Sequence, residues 1–214
     1  MSELEPPPAL TDDAIASGLR RGDREAWTAL YDQYSPRVWS FVARLAGPRP
    51  ECVADIMQDT FLAAARSARS FDPSRGTLWS WLAGIAHHQF QHSTRGDRRY
   101  LRSMQDTLRA AGQPAADRPI EQLLQDEQAE QVRLVLRELP ADYAILLTGK
   151  YIDDLSLAEL RQQVGGTLEG VRSRLARARH TFEARFEQLS VHTVSHNPQD
   201  SARAIARGPS IEHE

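Results

Sequence analysis

Residues 170–182, GVRSRLARARHTF, place four arginines within thirteen positions of a chain whose formal net charge is −3. A guanidinium group is planar, permanently charged and donates hydrogen bonds in pairs, a geometry that fits phosphate oxygens and guanine edges. Projected on a helix, Leu168, Val171, Leu175, Ala178 and Phe182 share one face, while Ser173 and Arg177 point away from it. One side packs and the other meets something anionic. A charge run is also the ordinary look of a solvated helix face, so its meaning depends on the rest of the chain.

A second constellation is acidic. Asp55, Gln58, Asp59 and Leu62 fall at helical spacing on one face. Carboxylates four apart repel slightly on an isolated helix, and a basic partner would relieve that. His88 and His92 are also four apart, but two imidazoles without a nearby carboxylate or cysteine make a poor zinc site, and no metal or other cofactor is expected. Cys52 is the single cysteine, which excludes an intrachain disulfide and a thiol cluster; it reads as a small apolar residue. The sequence offers no nucleophile–base pair and no phosphate loop, so an enzyme is not the expected class.

At 214 residues, with 41% hydrophobic and 26% charged residues, the chain reads as a soluble globular protein of one or two domains. Its apolar runs are too short to span a bilayer, and the start, MSELEPPP, lacks the basic and apolar regions of a signal peptide. A cytoplasmic protein with no membrane insertion is the expectation. Lys150 is the only lysine, so nearly all positive charge is arginine. The near-neutral total argues against a general nucleic-acid coat, and any DNA contact must be local.

The positions that carry this chemistry need helices to hold them, and the periodicity is helical almost throughout. Thr11 caps a short first helix. Ser35-Pro36 reads as an N-cap and first-turn proline that splits residues 24–46 into two helices. A helix follows from Pro50 to about residue 70; residues 71–76, FDPSRG, form a loop; Thr77 then caps a helix to about residue 94. Residues 102–118 read as a linker. A second block begins near Pro119, with one helix ending before Leu139-Pro140 and another over about 141–151. A third opens on the capping box Ser156 to Glu159. Val164-Gly165-Gly166-Thr167 turns into the arginine helix, giving the organisation of a helix-turn-helix. From residue 190 the tail is polar and reads as disordered.

Four of these segments together resemble the extracytoplasmic-function (ECF) sigma factors, the two-domain branch of the bacterial sigma factor family. Residues 55–62, DIMQDTFL, are similar to the family's core-binding motif, and residues 77–86, TLWSWLAGIA, to its promoter-melting helix. Residues 155–160, LSLAEL, with 170–179, GVRSRLARAR, are similar to its C-terminal helix-turn-helix. The resemblance implies an all-α fold of two small helical domains: residues 10–101 resembling sigma region 2 and residues 119–189 resembling sigma region 4. Residues 102–118 would be a flexible linker and 190–214 a tail.

The resemblance also implies roles. Asp55, Gln58, Asp59 and Leu62 would dock on the clamp helices of the largest subunit of core RNA polymerase. The loop from Phe71 through Ser74 and Arg75 to Thr77 would capture a flipped base of the minus-ten promoter element, which requires a pocket and stacking surfaces. Trp81 is expected in the core, with Trp79 open as a stacking platform. After Ile85-Ala86 the chain departs from the family pattern: it carries His87, His88 and His92 before Arg95, Arg98 and Arg99, where the family has a basic residue, an asparagine and an acidic residue. His88 and these three arginines are the expected DNA contacts at that end. Arg172, Ser173 and Arg177 would face the duplex of the minus-thirty-five element, Arg174 and Arg179 its phosphates, and Thr167 would set the helix N-terminus near the backbone. Many members of the family are held inactive by an anti-sigma partner, so such a partner belongs among the expected ones. Two other readings compete. A dimeric helix-turn-helix regulator would leave residues 55–62 without a role, and an enzyme would leave every motif without one.

Overall fold

The computed structural model describes residues 10–47, 49–93 and 120–194, and every regular element among them is helical. Helix α1 covers Asp12–Arg21 and starts where Thr11 Oγ1 accepts the Ala14 N–H at 3.3 Å. Gly22, at φ 81°, ends it in the left-handed region that favours glycine. Helix α2 covers Arg24–Ala46 and lies close against α1, because Gly18 has no side chain: a Cβ there would sit 2.5 Å from the Ala26 Cβ. Tyr34 ties the pair together by donating its hydroxyl to Asp12 Oδ1 at 2.6 Å.

The expected break at Ser35-Pro36 does not occur: α2 runs through it as one helix. Leu30, Tyr34, Val38, Phe41, Val42 and Leu45 form an unbroken buried stripe across the proline, while Pro36 itself is exposed. The carbonyl that proline deprives of a partner therefore faces the solvent side, and packing outweighs the lost hydrogen bond.

Helix α3 covers Pro50–Ser67 and continues as a 3₁₀ turn, Ala68–Ser70. It buries Val53, Ile56, Met57, Thr60 and Ala64. In the following loop the Asp72 carboxylate accepts the Ser74 N–H at 2.9 Å and its hydroxyl at 2.7 Å. Those two bonds from Ser74 hold Asp72 below the ordinary carboxylate range. Thr77 Oγ1 accepts the Ser80 N–H at 3.1 Å and opens α4, residues 78–93.

The second block starts with α5, Ile120–Glu138, and α6, Ala141–Tyr151. Helix α7, Leu157–Val164, opens on a complete capping box: Ser156 Oγ accepts the Glu159 N–H, and Glu159 Oε2 accepts the Ser156 N–H at 2.8 Å. Gly165 and Gly166, at φ 76° and 86°, make the turn into α8, Leu168–Val194. Thr167 caps that helix, its hydroxyl accepting the Gly170 N–H at 3.1 Å. Helix α8 carries on to Val194, past the boundary at residue 189 where the tail was expected. The linker expected over 102–118 lies outside the described residues, as do Arg95, Arg98 and Arg99.

The two blocks are docked on one another and share a continuous apolar core, from Ile15 and Leu30 through Leu82 and Phe90 to Leu146 and Val171. Full burial of each such side chain contributes about 1.5–3 kcal/mol. The seam between the blocks is polar at several points. The buried Arg137 donates from Nε and Nη2 to the Leu45 carbonyl at 3.2 and 3.1 Å. His87 Nε2 lies 3.1 Å from the Leu136 carbonyl, and Gln91 donates to the Arg137 carbonyl at 2.6 Å. Thr77 Oγ1 donates to the Gln163 carbonyl, and Arg44 pairs with Asp153, Nη1 to Oδ2 at 3.1 Å.

Candidate functional site

The buried stripe of α3 fixes what its other side presents. Asp55, Gln58, Asp59 and Leu62 are all exposed and form one row. Beside them Tyr31, Trp39 and Leu62 are 52, 41 and 46% exposed, unusually open for large apolar side chains. With Met57, Gln58 and Phe61 they line a groove of about 460 Å³, and the Tyr31 and Phe61 rings lie 4.9 Å apart. The arrangement is an apolar groove beside a helix face that exposes the carboxylates of Asp55 and Asp59, a surface complementary to a partner with apolar and basic groups. Sequence reasoning missed Tyr31 and Trp39 because it split α2 between them. On one continuous helix their spacing of eight residues puts them on the same side.

The loop and α4 are arranged differently from expectation. Trp79 is buried and Trp81 is half-buried, the reverse of the expected assignment. Trp79 shares its face with Leu82, Ala83, Ala86 and Phe90, all buried, and its ring meets Phe41 edge-on at 6.1 Å. Trp81 instead faces a cleft of about 570 Å³ between the blocks, lined also by Asp72, Arg75, Asp142 and Arg174. Phe71 is buried beneath the loop with its ring 5.2 Å from Trp81, so it supports that indole and presents no free stacking face. Ser74 and Arg75 are exposed, with the Ser74 hydroxyl held by Asp72. Thr77 is engaged as cap and as donor to Gln163.

His88 and His92 are exposed with their Nε2 atoms 3.1 Å apart. Among the described residues no group of three His, Cys, Asp or Glu side chains is placed to hold a metal ion. His87 is a different case. It is buried in the seam, and burial pushes its pKa below the ordinary imidazole value.

On α8 the stripe Val171, Leu175 and Ala178 is buried, which leaves Arg172, Ser173, Arg177 and Arg179 exposed along one open surface. Arg172 pairs with Glu169 at 2.7 Å. Leu168, expected on the packing side, is 42% exposed, because it opens the helix ahead of the point where α8 meets its neighbours. Arg174 is half-buried and donates to the Gly165 carbonyl at 3.1 Å, so in this arrangement it fastens the glycine turn. Thr167 is exposed at the helix N-terminus, beside backbone N–H groups that suit an anion.

Residues 30–100 match the family described as Sigma-70 region 2. The ECF RNA polymerase sigma factor SigK of Mycolicibacterium vanbaalenii is 26% identical over 163 residues, 76% of this chain and 83% of the relative. The ECF RNA polymerase sigma-E factor of Salmonella typhimurium is 28% identical over 189 residues, 84% of this chain and 96% of the relative. Among solved structures, CnrH in complex with the cytosolic domain of CnrY is 21% identical with a TM-score of 0.43, covering 83% of this chain and 97% of that one. Among the described residues no helix is long and apolar enough to cross a membrane. The matched region holds the α3 row, the loop and α4, and the alignments to both relatives cover three quarters or more of the chain, so the similarity to ECF RNA polymerase sigma factors takes in both helical blocks.

Proposed function

We propose that the chain is a promoter-specificity subunit, one that binds core RNA polymerase and directs it to promoters carrying a minus-thirty-five and a minus-ten element. Its work is recognition and strand separation. In residue terms, Asp55, Gln58, Asp59 and Leu62 dock on the polymerase clamp, with Tyr31 and Trp39 adding an apolar anchor beside them. Arg172, Ser173 and Arg177 face the upstream duplex, and Arg179 meets its phosphates. Arg75 and Trp81, at the mouth of the cleft, take the minus-ten strand.

The observation that carries this reading is the exposed acidic and apolar face of α3, with the groove beside it. A simple operator-binding regulator has no use for that face, whereas a subunit that must be held on a larger enzyme does. The experiment is reconstitution with core polymerase, followed by transcript mapping on fragmented genomic DNA. Discrete start sites that appear only when both proteins are present support the reading; DNA protection by the chain alone, unaffected by polymerase, overturns it.

A further inference from the structure

His88 and His92, four apart in the sequence, end up with their ring nitrogens side by side. Both are exposed on α4, with their Nε2 atoms 3.1 Å apart and their ring centroids 4.4 Å apart. Metal–nitrogen bonds of about 2.0–2.1 Å place two imidazole nitrogens on one ion about 2.9 Å apart at a right angle and about 3.3 Å apart at the tetrahedral angle. The observed separation lies between those two values. We propose that His88 and His92 form a two-imidazole chelate for a divalent late transition metal ion, on the face of α4 that takes the minus-ten strand.

The site differs in kind from a structural zinc centre. Such a centre takes four protein ligands, and among the described residues no third His, Cys, Asp or Glu joins the pair. Two ligands hold an ion reversibly and leave its remaining positions open. Imidazole suits nickel, copper and zinc, so the pair selects that group against magnesium and calcium, which take oxygen ligands. Once one nitrogen has bound, coordination by the other is an intramolecular step, which is what gives a pair its affinity. Without the ion, one ring donates its N–H to the other; binding moves that proton to the same ring's Nδ1 and frees both Nε2 lone pairs for the metal. Neither ring belongs to the core. The buried side of α4 carries Leu82, Ala83, Ala86 and Phe90, and His87 is buried with its Nε2 against the Leu136 carbonyl.

Position gives the site its use. Trp81, Ile85, His88 and His92 fall within about 60° of one another around the axis of α4, and none of the four is buried, so the pair continues the row that starts at Trp81. His88 follows Trp81 by about 10 Å along that axis. The open positions of an ion held there are presented to whatever passes along the row, and an unpaired strand offers purine N7 atoms and phosphate oxygens as ligands. This consequence rests on the promoter reading above: metal occupancy tightens the hold on the strand and leaves the fold unchanged.

The test uses the untagged full-length chain with nickel(II) as the probe, at about pH 7.5, where imidazole is mostly neutral. His88→Gln, His92→Gln and the double variant are compared with wild type by titration calorimetry. The other histidines, His180 and His192 among them, are common to all four chains. Each single variant is expected to lose about tenfold or more in nickel affinity, as the double variant does, because a chelate needs both rings. Equal affinity in wild type and the double variant overturns the site. Anisotropy of a purine-containing single-stranded oligonucleotide on the complex with core polymerase then reads the strand contact. Nickel should tighten binding several-fold with the wild-type chain and not with the double variant; the same response from both overturns the role on the strand. The calorimetry involves no polymerase, so a chain that chelates nickel but captures no polymerase sinks the promoter reading and leaves the chelate standing, and the two failures are distinguishable.

Discussion

The Arg37 guanidinium lies over the Trp79 indole, 3.9 Å from the ring centroid. The contact stacks a cation on the largest side chain of the α2–α4 interface, and burial lowers the Arg37 pKa from its ordinary value. Trp79 is thus a structural residue, and truncating it opens a cavity beneath α2. Trp79→Ala is expected to cost about 3–5 kcal/mol in denaturant unfolding. Trp81→Ala should cost less than half of that and instead impair promoter opening, read by permanganate reactivity of unpaired thymines. A Trp81→Ala chain that melts promoters normally would remove Trp81 from the strand-binding surface.

Exposure separates the arginines of α8 by role. Arg177 stands on the open face opposite the buried stripe, so Arg177→Ala should lose about 1–3 kcal/mol of discrimination between a cognate and a scrambled upstream element. Arg179→Ala should weaken binding to both sequences alike. Fluorescence anisotropy of the polymerase complex on the two duplexes measures this. Equal losses for both variants on both duplexes would reduce α8 to an electrostatic patch.

Local signals were legible in the sequence, and signals set by neighbours were not. Thr11, the Ser156–Glu159 box and Thr167 mark helix starts by their own hydrogen bonds to nearby N–H groups, and the structure has all three. Pro36 was misread because a proline's effect depends on which side of the helix it faces, and here it faces water. Trp79 and Trp81 were exchanged for a related reason: two residues apart on a helix means different faces, and only the packing of α2 decides which one is buried. Arg174 gave no hint that its partner would be the Gly165 carbonyl. The seam as a whole was invisible, since Leu45, Leu136 and Gln163 contribute backbone carbonyls, which every residue type possesses.

His87 links the docked form to pH. From its own helix the nearest titratable group is His88, and across the seam on α5 stand the Leu136 carbonyl and the buried Arg137, which is paired with Glu130. Burial depresses the His87 pKa, so the neutral ring is favoured when docked, while the released ring titrates near its ordinary value of about 6.5. The stabilisation is complete above that value and is lost as pH falls below it, when the released form takes up a proton the buried ring resists. Lowering the pH from about 7.5 to about 5.5 should therefore reduce the Tm of the wild-type chain more than that of His87→Gln, which keeps a donor for Leu136 but cannot titrate. Parallel losses in both chains would detach His87 from the pH response.

Gly18 tests the packing of α1 on α2. With a Cβ at this position only 2.5 Å from that of Ala26, Gly18→Ala must push the helices apart and is expected to cost about 1–3 kcal/mol despite the better helix propensity of alanine. An unchanged or raised midpoint in urea would mean the two helices can separate without loss.

The central claim is that the exposed row on α3 is the polymerase-binding face, and charge reversal tests it most directly. Asp55 and Asp59 are exposed and neither belongs to the buried stripe, so Asp55→Arg with Asp59→Arg should leave helicity and unfolding midpoint near wild type. The measurement is capture of core RNA polymerase by the tagged chain. The account predicts that the double variant folds and captures none; a folded double variant that captures polymerase at the wild-type level would contradict it.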